Sequence, residues 1–196
     1  MKAWAAAVSM IVLFAAFQVV AVKIDAWPLN FQPLLALAFC SVALLSGRQS
    51  LIVGAAWLVA WPLLSAIRGY DFTEGFFSTA LGFACVFLIG FAFRHARSIW
   101  AALGGVTLSA ITFYFVTNTF SFFELGWLYP RSLEGFLQAQ WTGPDRPGFG
   151  PTWVFLRNSI TGSLFFTTLV YFSVSKASEA PETDEEIVDD EETETA

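Results

Sequence analysis

The chain has 196 residues, 56% of them hydrophobic and only 13% charged, against roughly a quarter charged in an ordinary soluble domain. Its 22 Phe, 8 Trp and 4 Tyr fall mostly in long apolar runs, which argues against a soluble globule and predicts a chain solvated by a lipid bilayer. The net charge of -6 belongs to one end: ten of the sixteen acids lie in residues 179–196, and the body is left basic, so the acidic balance describes a tail and not the fold.

The hydropathy pattern predicts an all-α membrane protein with six transmembrane helices, over residues 3–22, 33–46, 51–67, 75–93, 99–117 and 153–174. The first run follows Lys2 as a secretory leader would. It is, however, of spanning length, beyond the 7 to 15 residues of a typical leader core, and it is read as a retained span. The second run is short for a bilayer unless Phe31 to Pro33 join it. In the third, Pro62 removes a backbone hydrogen bond and predicts a kink.

The expected connections differ between the two faces. On one side they are minimal and purely basic, with Arg48, Arg94 and Arg97 joined there by Lys2 and Lys176, while the other holds all six body acids and the remaining five cations, Lys23, Arg68, Arg131, Arg146 and Arg157, mostly in one long loop where charge counts less. The positive-inside rule then places both termini in the cytoplasm, as a multi-pass protein of a bacterial inner membrane. From Ser178 the chain is acidic and nearly free of apolar residues, which predicts a disordered cytoplasmic tail.

The connection spanning residues 118–152 is too long and too aromatic to be a structureless loop. Within it, Leu133, Phe136, Leu137 and Trp141 recur at near-helical spacing, so residues 131–141 are expected to form a short amphipathic helix lying in the membrane interface. The sequence TGPDRPGFGP (residues 142–151) then turns the chain back to the last span. Small residues four apart mark helix contacts: Ala3 and Ala7, Ala80 and Ala84, Ala101 with Gly105 and Ser109, and Asn158 with Gly162.

Catalytic signatures are lacking. There is no G-x-S-x-G, H-E-x-x-H or Walker loop, and the single His95 and the isolated Cys40 and Cys85 offer no metal-ligand spacing. Neither an enzyme nor a cofactor is expected, and no nucleic-acid partner. The expected partners are the bilayer, a small-molecule ligand and other membrane subunits. Two readings of the aromatic loop stand side by side: an aromatic belt, and a shallow outward pocket with polar anchors.

The candidate ligand-binding residues are Asn30, Phe31, Asn118, Glu124, Tyr129, Arg157 and Asn158, because polar groups near membrane depth are costly unless they face protein, water or ligand. For Arg157 the alternative is snorkelling to headgroups. For Asn118 and Asn158 it is interhelical hydrogen bonding. A scaffolding subunit that recruits partners through its helix faces and acidic tail is the alternative function.

Several short motifs carry a resemblance: Asn30-Phe31-x-Pro33, Thr117-Asn118, Tyr129-Pro130-x-Ser132-x-x-Gly135, and Phe155 with Asn158-x-x-x-Gly162. In order and spacing they resemble a family of small, functionally uncharacterised bacterial membrane proteins. Members of that family commonly carry an Asp directly after the last Gly, where this chain has Ser163. The layout is also similar, more distantly, to the S components of energy-coupling factor transporters. That resemblance implies six helices, cytoplasmic termini, ligand capture near the outer face and a partner ATPase assembly.

Overall fold

The computed structural model describes residues 8, 10–14, 16–17, 30–45, 49–50, 75–94, 98–146 and 150–179. The described residues are helical, with no strand among them. Five helices have defined ends: α1 (Leu34–Ala43), α2 (Phe76–Ala92), α3 (Ile99–Glu124), α4 (Leu133–Gln140) and α5 (Trp153–Glu179). Further helical residues lie between positions 8 and 17. The run at 51–67 with Pro62, the Ala3 and Ala7 pair, His95 and residues 180–196 of the acidic tail fall outside the described residues.

Among the described residues one helix, α3, is long and apolar enough to cross a membrane. It starts on the Ser98 hydroxyl, which accepts the Trp100 amide at 3.2 Å, and it continues two turns past the expected end at residue 117. Residues 118–124, expected to open a loop, are helical. The 26 residues of α3 measure about 39 Å at 1.5 Å per residue. Likewise α5 runs on to Glu179, so the chain is still helical where the tail was expected to begin.

The second apolar run forms a helix shorter than a full span. With ten residues α1 is about 15 Å long, roughly half the hydrocarbon thickness. Leu35 through Cys40 are buried, four of them apolar and fully enclosed. Pro33 sits at its N-cap, where a residue lacking an N–H leaves no orphan donor. The helix is thus a core element wrapped by α2, α3 and α5.

Small residues bring those neighbours close. The buried face of α2 is Ser78, Gly82, Val86 and Gly90, a four-residue repeat. This corrects the expected Ala80 and Ala84 face, since Ala84 is exposed. A Cβ at Gly82 would stand 2.7 Å from the Phe113 ring, and one at Gly105 of α3 would stand 2.6 Å from the ring of Phe39. Gly162 of α5 faces the backbone of Phe31 and Gln32, with 3.2 Å available to a Cβ. At the other end of the chain, Met10, Phe14 and Phe17 turn inward, and Phe17 meets Phe166 edge-on at 5.3 Å.

A polar stripe of α5, Ser159, Ser163 and Thr167, is buried in this core. The Cys40 thiol donates to the Thr167 hydroxyl at 3.8 Å. The Ser163 hydroxyl is fully buried and has no hydrogen-bond partner among the described residues. The position where the resembling family carries a carboxylate therefore lies inside the bundle.

Candidate functional site

The end of the bundle where α3 terminates is closed by α4 and its flanking loops. Ser132 caps α4, its hydroxyl accepting the Gly135 amide at 3.1 Å. The helix then lies against α3 because its last carbonyls, which no helix can satisfy internally, all find donors. Gln138 O accepts from the Gly143 amide at 2.9 Å, Ala139 O from the Thr152 hydroxyl at 3.0 Å, and Trp141 O from the Trp153 amide at 3.1 Å. Gln140 O accepts from the buried Tyr114 hydroxyl of α3. The Gln140 side-chain amide donates to Thr119 at 3.4 Å, and its own Oε1 has no partner among the described residues.

Arginine closes the other side. Arg131 donates to Phe122 O at 3.1 Å and to Phe123 O at 2.5 Å, with its guanidinium 5.5 Å from the Phe122 ring centre. A fixed positive charge on the last carbonyls of α3 complements the negative end of the helix. Phe122, Tyr129 and Ala139 form a small core beneath, bordered by Leu128 and Phe136. Burial pushes the Tyr129 phenol above its ordinary range, and the nearby Tyr114 phenol adds to the effect.

The neutral Tyr129 phenol is thus favoured by folding. Its contribution to stability is full below the unfolded value near 10 and is lost as pH rises through the raised folded value. In a spectrophotometric titration Tyr129→Phe is expected to remove a phenolate step lying above the ordinary range and to flatten the alkaline decline in stability. An unchanged titration would show that Tyr129 is not held neutral.

Between α4 and the returning loop lies a groove of about 1110 Å³. Leu128, Leu137, Trp141 and three prolines (Pro130, Pro144, Pro151) form its apolar walls, and Glu134, Gln138, Asp145 and Arg146 bring polar groups to it. Leu133, Leu137 and Trp141, one turn apart along α4, are exposed at 74%, 50% and 49%. The groove therefore opens beside an uncovered apolar stripe. The helix expected at 131–141 stands at 133–140, and its sheltered face is Gly135, Ala139 and Gln140.

The seven residues expected at the site are dispersed, and none lines the groove. Asn30 is exposed in a turn before α1 with φ 62°, a left-handed conformation that Asn tolerates. Phe31 packs on Phe165 and Phe166 at 6.1 and 5.9 Å. Asn118 donates to Tyr114 O of its own helix at 3.0 Å, and Glu124 is exposed at the end of α3. Tyr129 lies behind the groove wall, between lining residues Leu128 and Pro130. Arg157 stacks 5.3 Å from the Trp153 ring and donates to the buried Asn158 Oδ1 at 3.1 Å.

Arg157 and Asn158 meet near the start of α5, Phe31 packs about two turns further along it, and Asn30, Asn118, Glu124 and Tyr129 are not brought to them. The lining residues Glu134, Gln138, Trp141, Asp145 and Arg146 were not singled out in the sequence as site residues. The available signal was an amphipathic stretch followed directly by a proline-rich return, a combination that folds a helix back against its own loop.

The model of a family described as a family of unknown function (DUF6580) matches residues 1–183, and the chain belongs to that family. No curated protein and no solved structure matches it.

Proposed function

We propose that this family member is a multi-pass inner-membrane protein that captures a small amphipathic molecule in the groove beside α4, as the binding subunit of a transport system and not as an enzyme. The observation that carries the reading is the groove itself, partly apolar and partly polar, opening next to an exposed apolar stripe. Large apolar side chains are also exposed along the longer helices, among them Leu88, Leu108, Phe115, Leu169 and Phe172, as lipid-facing residues are. Trp100 stands at one end of α3, and Trp127, Trp141 and Trp153 stand exposed at the other. Aromatic residues gather in this way at the two interfaces of a bilayer.

In this reading the topology has six crossings and cytoplasmic termini, the second crossing being the short α1 with its flanking residues, enclosed by protein and not by lipid, and α4 lies in the outer interface. The similarity of layout to energy-coupling factor S components supports the role of a capturing subunit, with energy supplied by a separate ATPase assembly.

Thermal unfolding of the full chain in detergent against a metabolite panel tests the proposal. A ligand at about 100 times its dissociation constant adds roughly 2.7 kcal/mol. The expected result is a saturable rise in Tm that Trp141→Ala removes and Asn118→Ala leaves in place. A panel without any saturable rise, or a rise indifferent to Trp141, would overturn it.

A further inference from the structure

We infer that the ligand of this groove is an organic cation, an amphipathic molecule bearing a protonated amine or quaternary nitrogen. This rests on the reading of the groove as a binding site and adds the charge that the ligand must carry.

The groove holds three ionisable side chains, and their charges are answered unequally. Arg146 is already engaged: its guanidinium donates to Trp127 O at 3.1 Å and lies 4.8 Å from the centre of the Trp127 ring. Glu134 and Asp145 face the same space with no cation within ion-pair range among the described residues. The C-terminal end of α4 borders the groove through Gln138, Trp141 and Thr142, and a helix C-terminus adds partial negative charge. Trp141, half exposed in the wall, presents an aromatic surface of the kind that attracts cations.

An anion would meet two carboxylates and a helix C-terminus against the single guanidinium of Arg146, which is drawn toward Trp127. A neutral ligand would leave both carboxylates unmatched. An ammonium group on a short apolar body satisfies the carboxylates, and its body fills the space among Leu128, Leu137 and the prolines. Such a nitrogen is found both in free amphiphilic amines and in the headgroup of an aminophospholipid. Both sources have access, since Leu137 and Trp141 belong at once to the groove and to the exposed stripe.

The test is calorimetric titration of the purified full-length chain with three probes of one shape, 2-phenylethylammonium, 2-phenylethanol and phenylacetate. The ammonium is expected to bind at least about tenfold tighter than the other two. Glu134→Gln and Asp145→Asn, both at exposed positions, are each expected to weaken it about tenfold. Equal or tighter binding of the alcohol or the acid, or unchanged affinity in both variants, overturns the charge inference and leaves the groove reading standing. If none of the three binds and the metabolite panel gives no Trp141-dependent rise in Tm, the groove reading itself fails and the inference with it. Repeating the titration in phosphatidylglycerol nanodiscs with and without phosphatidylethanolamine separates the sources. Competition by phosphatidylethanolamine assigns the site to the lipid headgroup, and its absence assigns it to a free amine.

Discussion

Gly105→Ala is expected to lower the stability of the bundle by about 1–3 kcal/mol, the usual cost of overfilling a packed core. A Cβ there would stand 2.6 Å and 2.7 Å from two carbons of the Phe39 ring and 3.0 Å from Phe93. Phe39 is fully buried, so its ring can yield only by displacing packed neighbours, or else the backbones of α1 and α3 separate; either loosens the contact that encloses α1. Two companions identify the cause. Gly104→Ala, one residue away, adds its methyl where nothing lies within 4 Å and is expected not to lower Tm. Phe39→Leu in the Gly105→Ala background removes the obstructing ring and is expected to recover part of the loss, giving a coupling energy of about 1 kcal/mol or more in a double-mutant cycle. Strict additivity of the two substitutions would place the damage elsewhere.

Gly135→Ala is expected to dislodge α4, costing about 2–3 kcal/mol and abolishing ligand binding in the groove. Its Cβ would fall on the Pro130 carbonyl oxygen, with the Pro130 carbonyl carbon and Cδ each at 3.0 Å. The obstacle is backbone and proline ring, neither of which can rotate away. Moving α4 breaks the seal at its far end, where the carbonyls of Ala139 and Gln140 receive Thr152 and Tyr114, and each buried group left without a partner costs about 1–3 kcal/mol. Thermal unfolding and the ligand-induced rise in Tm provide separate readouts. A variant of normal Tm that still binds would show that α4 does not depend on this contact.

Helix positions were largely legible in the sequence, because the apolar runs are long and bounded by turn-forming residues. The end of α3 was not. Thr117, Asn118, Thr119 and Ser121 lower the hydropathy there, yet Thr117 and Asn118 bond back to carbonyls one turn earlier, and Arg131 receives the helix end from nine residues away. Facing was harder still. In a helix apolar all round, as α2 is, the pattern carries no stripe to say which side meets protein. The choice between Ala80 with Ala84 and Ser78 with Gly82, Val86 and Gly90 is made by the neighbours α1 and α3.

The groove was illegible for a related reason. It exists only because Leu128 and Pro130, the face of α4 that carries Glu134, Leu137 and Gln138, and the return through residues 141–146 and Pro151 come together in space. The individually conspicuous polar residues Asn118 and Asn158 take part in hydrogen bonds within their own helices. Glu134, in the first turn of α4, and Asp145, among turn residues, look like ordinary surface acids until the loop returns beside them.

The enclosure of α1 also bears on how the protein is made. Its walls include α5, which begins about 110 residues after α1 ends, so a ribosome synthesises most of the chain before the last wall exists. Until then Cys40 and its neighbours have only a partial shell, and α1 is too short to find a substitute by spanning a bilayer on its own. Assembly is therefore obliged to finish after translation has nearly finished. The nascent chain must hold an apolar segment in waiting, and the final helix acts as the latch that completes its enclosure.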